Sequence, residues 1–273
     1  MLNKQKKVVI LVPDGIGLKN FGFSKIPHLL KNDGIELLYW NSTPFDLDNL
    51  GLKSIKFSKA IPIKADLLKR AKIEIELDTF SSIFKNKVYK TYKIPPKINS
   101  IKAYLKNTTV NFYKHVYKNR AAVIEAEINY SILNSKEYRS ALRHLKREKP
   151  NFLFSTNQRA SNAIAPILAA KRLNIPTACF IFSWDNLPKA TKIIDPDYYF
   201  VWSVFMKNEL LQYYPNIQVS QVRVVGTPQF EAHFDNAEID FKKFKEKYNL
   251  ASNKRYILFS GDDKSTSPKD EQY

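Results

Sequence analysis

The chain has 273 residues, 44% of them hydrophobic, which is enough for the core of one large domain or two smaller ones and excludes a disordered protein. Lysine and arginine outnumber aspartate and glutamate by 44 to 26, a formal charge of +18, so anionic partners are favoured: nucleic acid, phosphorylated ligands or anionic lipid headgroups. Cys179 is the single cysteine, which excludes an internal disulfide and fits a reducing compartment. The apolar run after the basic N-terminus is too short for a signal-peptide core, and none approaches the roughly 18 residues of a spanning helix. A cytoplasmic location is expected, with membrane contact only at the surface, at the inner face of the cell membrane.

Residues 8–12, Val-Val-Ile-Leu-Val, form a continuous apolar run ending at Pro13, Asp14 and Gly15, and predict a buried strand followed by a tight turn. A helix is predicted over 24–31 with Ser24 as cap, a second strand over 35–40 and a third over 52–57. Residues 65–149 are helical in pattern, with a break at Pro95 and Pro96. The clearest helix there is 135–149, with Ala141, Leu142 and Leu145 on one side and Arg139, Arg143 and Lys146 around it. Strands are then predicted over 151–155, 177–182, 198–202 and 222–225, with helices over 161–173, capped by Ser161, and 205–214. Such alternation is what a parallel sheet requires. The fold class is therefore α/β, a Rossmann-like parallel sheet with flanking helices. Residues 1–235 are assigned to it, with a basic helical insert at 79–124. A linker helix occupies 236–253, its charged amphipathic part at 239–248. Residues 254–273 read as the start of a second α/β domain, because 256–260 is a fresh strand ending in Gly261, and a lone strand cannot bury both faces. The sequence is expected to be truncated there; otherwise these residues pair with the first sheet or hang loose.

In open α/β sheets ligands bind at the carboxyl ends of the strands, so the strand endings are the candidate sites. After the first strand come Asp14, Gly15, Gly17 and Asn20. Glycines allow close approach of the backbone to a ligand, and a following helix N-terminus favours an anion. The third glycine of a dinucleotide fingerprint would fall at position 20, which is Asn20, and the matching acidic residue is missing. The segment is thus a structural turn or a loop touching an acceptor or phosphate, with a nicotinamide cofactor site the weakest reading. Asp14 is either a general base or a cap. Asn157 and Arg159 follow the strand at 151–155, and the planar fork of Arg159 suits phosphate or carboxylate. Ser183, Trp184, Asp185 and Asn186 follow the next strand: Trp184 either stacks on a sugar or base or packs in the core, and Asp185 and Asn186 either bind hydroxyls or form a turn. Gly226, Thr227 and Gln229, around Pro228, end the last strand as a hinge or interdomain lining.

The four histidines, His28, His115, His144 and His233, have no metal-ligand spacing, and no metal or cofactor is expected. His28 and His144 are expected on the surface, and His233 is a weak cleft candidate. Residues 79–124 contain no acidic residue, but they hold ten lysines and arginines interleaved with Tyr89, Tyr92, Tyr104, Phe112, Tyr113 and Tyr117. That mixture suits an anionic membrane interface, single-stranded nucleic acid, or merely a solvated helix face. Of the two partners, nucleic acid is the weaker reading.

Taken together, 8–22, 151–186 and 222–229, with the endings Ser-Trp-Asp-Asn and Gly-Thr-Pro-Gln, resemble the N-terminal acceptor domain of GT-B glycosyltransferases. The similarity is to those of bacterial surface polysaccharides and to CDP-glycerol glycerophosphotransferases, and it covers most of residues 1–235. It implies one GT-B half, with a nucleotide-sugar donor and a saccharide or lipid-linked acceptor as substrates. It places residues 14–20 beside the acceptor, 183–186 on the cleft wall and 226–229 near the domain junction. The donor-binding domain would lie beyond Tyr273, leaving the chain weakly active or inactive alone. The implied reaction is displacement at the donor's anomeric carbon by an acceptor hydroxyl, with Asp14 the first choice of base and Asp185 the second. Two other classes compete: a non-catalytic basic protein binding membrane or nucleic acid, and a sugar-nucleotide epimerase of the same architecture.

Overall fold

The structure, a computed structural model, describes residues 6–96, 98–234, 240–251 and 253–257. The chain divides into two compact units, Met1–Glu231 and Ala232–Tyr273. Among the described residues the first unit holds one parallel sheet of seven strands: β1 (Lys7–Val12), β2 (Glu36–Asn41), β3 (Ser54–Lys56), β4 (Phe152–Ser155), β5 (Thr177–Phe180), β6 (Tyr198–Val201) and β7 (Val222–Val224). Their spatial order is β3-β2-β1-β4-β5-β6-β7. This is the expected Rossmann-like α/β fold.

Both faces of the central strands are buried, which is why β1, β4 and β5 read as unbroken apolar runs rather than alternating ones. Val9, Leu11, Leu38, Trp40, Leu153, Cys179 and Val201 point to one face. They meet α3 (Ile63–Ile83), α6 (Ala121–Leu133), α7 (Lys136–Glu148), α8 (Ile164–Arg172) and α9 (Val204–Tyr213). Ile10, Val12, Tyr39, Phe154, Ala178 and Phe180 point to the other, under α1 (Gly15–Gly22) and α2 (Ile26–Asn32). The helices α4 (Val88–Thr91) and α5 (Ile101–Val116) complete the unit, α5 lying against α3. In the second unit α10 (Phe241–Lys247) starts where Asp240 accepts from the amides of Lys242 and Lys243.

The helix expected at 135–149 forms as α7: Ser135 Oγ accepts from the Tyr138 amide at 3.1 Å, and Ala141 and Leu145 are buried. Other local expectations are corrected. The glycine segment after β1 is a helix rather than a turn or loop, because Asp14 caps it and Leu18 and Phe21, three residues apart, are buried together. Lys25, not Ser24, holds the N-cap position of α2, Ser24 Oγ accepts from the Ile26 amide at 3.4 Å, and Pro27 sits in the first turn. Nor does Ser161 cap α8: it lies in a preceding 3-10 turn, where its hydroxyl accepts from Lys69 Nζ at 3.1 Å. His144 is half-buried, edge-on to the Trp40 ring, instead of free on the surface. Of the strand expected at 256–260, residues 256 and 257 have no regular secondary structure and 258–260 lie outside the described residues, as does Gly261.

Candidate functional site

The chain order of the sheet reverses between β1 and β4. From that pair β2 and β3 run outward on one side and β5, β6 and β7 on the other. Such a switch point opens a crevice at the carboxyl ends of the two central strands. Leu11 is in register with Ser155, so Asp14 and Asn157 emerge from the sheet together. Asp14 Oδ1 accepts from the Gly17 amide and Oδ2 from Asn157 Nδ2, both at 2.8 Å. Asn157 Oδ1 in turn accepts from the Arg159 amide at 2.8 Å. Four of the sequence-predicted residues, Asp14, Gly17, Asn157 and Arg159, are thereby joined in one relay.

Arg159 is exposed, and its guanidinium lies 4.5 Å from the centre of the Phe182 ring. No carboxylate neutralises it among the described residues. Its donors are therefore free, while stacking restrains the arm that carries them. Asp14, Asn157 and Arg159 line an open cleft of about 450 Å³, together with Lys59, Asp66, Lys69 and Asn162. Lys69 bridges Asp66 Oδ1 at 2.8 Å and Ser161. Burial raises the Asp66 carboxyl, but Lys69 and Arg70 outweigh it and hold it below the ordinary range. Against the two carboxylates stand Lys59, Lys69 and Arg159, so the cleft is positive and suits an anionic group carrying hydroxyls. Sequence reasoning missed Lys59, Asp66 and Lys69. The signal available was the Asp66, Lys69 and Arg70 cluster at i, i+3 and i+4 of α3.

The turn after β5 is tied to the same place by Gln158, whose side chain is fully buried. Its Oε1 accepts from the Phe182 amide at 2.8 Å, and its Nε2 donates to Asn186 Oδ1 at 3.0 Å. Asn186 also donates to Asp185 Oδ1, so both polar ends of its carboxamide are used within the protein. Asp185 is ion-paired with Lys189. Burial raises its carboxyl, but hydrogen bonds from Lys189 and Ser183 outweigh that and hold it below the usual carboxylate range. Trp184 does not pack in the core: it is 68% exposed beside half-buried Ser183.

The remaining predicted residues stand apart from the cleft or serve the fold. Gly15 is exposed at the first position of α1, beside Asp14. Gly17 is buried, and a Cβ there would lie 2.3 Å from Thr156 Oγ1, so its missing side chain serves the packing of α1 on the end of β4. Asn20 is buried in α1. Gly226 has φ +74, and Thr227 Oγ1 accepts from the Gln229 amide at 3.5 Å, a local turn after the edge strand β7. Gly226 and Pro228 line a different, apolar groove of about 310 Å³, with Phe21, Phe152, Phe180 and Phe200.

Among the described residues no three His, Cys, Asp or Glu side chains are placed to hold a metal ion. None of the described helices is long and apolar enough to cross a membrane. No protein-family model and no curated protein matches the chain. Among solved structures it is similar to the crystal structure of Acinetobacter baumannii MurG, with 10% identity and a TM-score of 0.38. The match covers 81% of this chain and 45% of that one, so the chain spans less than half the length of that protein. A likeness at this level identifies neither the site nor its chemistry.

Proposed function

We propose that residues 1–231 supply the acceptor side of a GT-B type glycosyltransferase, which passes a sugar from a nucleotide-sugar donor to a saccharide or lipid-linked acceptor of a surface polysaccharide. The observation that carries this reading is the meeting of Asp14 and Arg159 in one positive cleft at the switch point of the sheet. A hydroxyl brought to Asp14 meets a carboxylate whose two oxygens each keep a lone pair after the bonds from Gly17 and Asn157. Held in that way, Asp14 is oriented to take the hydroxyl proton as the new glycosidic bond forms. Arg159 is placed to bind a phosphate of the acceptor or of the leaving diphosphate. Asp185 is the poorer base, because Lys189 already occupies it. In this reading the donor is held chiefly by a second domain.

The test is titration of the isotope-labelled chain with saccharide phosphates and diphosphates, followed by amide chemical shifts. Perturbations at 14–17, 157–162 and 182–186 support the proposal. Shifts confined to other surfaces, or none at millimolar ligand, overturn it.

A further inference from the structure

From the outward face of α5 we infer that the arm formed by residues 85–118 docks on an anionic lipid bilayer, with the aliphatic side chains of α5 entering the headgroup boundary and surrounding lysines meeting the lipid charge. This goes beyond the proposed transfer reaction and does not depend on it.

α5 is apolar on two sides for two different reasons. Its inner side, Val110 with Tyr113 and Tyr117, joins the core that includes α3. Its outer side carries Ile101, Leu105, Phe112 and Val116 at i, i+4, i+11 and i+15, one stripe on a helix of 3.6 residues per turn. Ile101 is 81% exposed, Leu105 58% and Phe112 61%, so folding does not use this stripe. The preceding loop adds Ile94, 88% exposed, and Ile98. A contiguous exposed apolar stripe of this kind marks an interaction site.

The charge around the stripe identifies the partner. Residues 79–124 contain no aspartate or glutamate. Lys93 and Lys114 are consumed by Asp78 and Glu74 of α3. Lys85, Lys87, Lys90, Lys102 and Lys118 are exposed and pair with no carboxylate among the described residues. Aliphatic residues on one side of the helix, Lys102 beside them and further unpaired lysines in the same segment are what an interfacial helix presents to acidic lipids, and exposed Tyr104 suits the headgroup level. Nucleic acid fits less well, because it needs exposed rings for base stacking. Tyr89 is instead buried against Phe80, Phe84 and Tyr213, and Tyr92, Tyr113 and Tyr117 are half-buried. Among the exposed apolar side chains of α5, the aliphatic Ile101, Leu105 and Val116 outnumber the rings Tyr104 and Phe112, a balance that favours lipid over bases.

The experiment is sedimentation of the full chain with phosphatidylcholine vesicles, and with equimolar phosphatidylcholine and phosphatidylglycerol vesicles, at rising salt. Binding is expected only to the acidic vesicles and is expected to weaken with salt. Replacing Lys87, Lys90 and Lys102 together by Gln should lower partition about a hundredfold, since each lysine near an acidic leaflet contributes about fivefold. Ile101→Ser with Leu105→Ser should lower it about tenfold or more. All five positions are exposed, and unchanged circular dichroism checks the fold. A second measurement needs no loss of binding: an environment-sensitive fluorophore on Leu105→Cys should shift to the blue on acidic vesicles, and the same label on Gln212→Cys of α9 should not. The native Cys179 is fully buried and does not compete for the label. Failure to bind acidic vesicles, binding untouched by both sets of substitutions, an unshifted label at position 105, or preference for single-stranded oligonucleotides over vesicles would each overturn the inference.

Discussion

The carboxylate of Asp14 accepts a hydrogen bond from the carboxamide of Asn157 at 2.8 Å, across 143 residues of sequence. The bond joins the ends of the two central strands, and through the Arg159 amide it also sets the backbone from which the free guanidinium projects. Asp14→Ala removes an N-cap and a charge-assisted bond, and a loss of about 1 to 2 kcal/mol is expected. Asn157→Ala removes the partner. In a double-mutant cycle by urea unfolding, the two changes should couple by more than about 0.5 kcal/mol. Additive losses would show that the bond contributes no pairwise stability.

Gly17 offers a test in which helix propensity and packing point in opposite directions. Alanine is preferred to glycine in a helix interior by roughly 1 kcal/mol. The new methyl would lie 2.3 Å from Thr156 Oγ1, however, and overpacking of this kind costs about 1 to 3 kcal/mol. Gly17→Ala should therefore lower the melting temperature, and Thr156→Ala in the same chain should recover part of the loss. A melting temperature raised by Gly17→Ala alone would refute the packing account.

The central strands were legible because both of their faces are buried, so β1, β4 and β5 appear as apolar runs of the right length. α1 was not legible: three glycines in eight residues argue against a helix, and what overrides them is the Asp14 cap with the burial of Leu18 and Phe21. In the cleft Asp14, Asn157 and Arg159 were readable from their places after strands. Lys59 and Lys69 were not, because a loop and a helix distant in sequence bring them there. The same blindness hid Lys72 and Lys192, which look like surface lysines in the sequence and are buried.

Those two lysines fasten the helices to the sheet. Lys72 of α3 donates to the Lys192 carbonyl at 2.9 Å and pairs with Glu76 at 2.8 Å, while Lys192 reaches Glu125 of α6 and Asp195, each at 3.4 Å. Burial pushes the Glu76 carboxyl up, and Lys72 opposes it. Lys72→Met leaves Glu76 without its partner and should cost about 3 to 5 kcal/mol. Adding Glu76→Leu should restore much of that, since apolar groups then replace the whole pair. If the double variant unfolds as easily as Lys72→Met, the loss lies in the bond to the Lys192 carbonyl rather than in an orphaned charge.

Acid should loosen the other end of the sheet. The Lys53 ammonium, 2.6 Å from Glu36, holds that carboxyl below its ordinary value of 4.5, against an opposing influence of burial and with Lys7 adding to the lowering. Lys7 also pairs with Glu148 of α7 at 3.2 Å. Between the lowered folded value and 4.5 the unfolded chain binds more protons at position 36 than the folded one. Stability from this group is therefore fully present above 4.5 and is lost as the pH falls through the folded value. Urea midpoints of wild type and Glu36→Gln should differ at neutral pH and converge in acid. A gap that is constant with pH would mean that the pair contributes nothing through its ionisation.

The guanidinium of Arg159 carries the most direct prediction about the cleft. It is exposed, stacked on Phe182 and without a carboxylate partner among the described residues, so Arg159→Ala should change folding stability by no more than about 1 kcal/mol. The same substitution should weaken binding of a phosphorylated saccharide by about 10-fold or more, because hydrogen bonds to charged groups contribute about 1.5 to 3 kcal/mol. Arg159→Lys keeps the charge but loses the planar fork and the stacking, and should recover only part of the affinity. Calorimetric titration of the three proteins at two salt concentrations separates these contributions. Long-range attraction fades with salt, whereas a bidentate contact retains most of its advantage over lysine. Equal affinities for wild type and Arg159→Ala would remove the anion from this cleft, and with it the part of the proposed mechanism that assigns Arg159 to a phosphate.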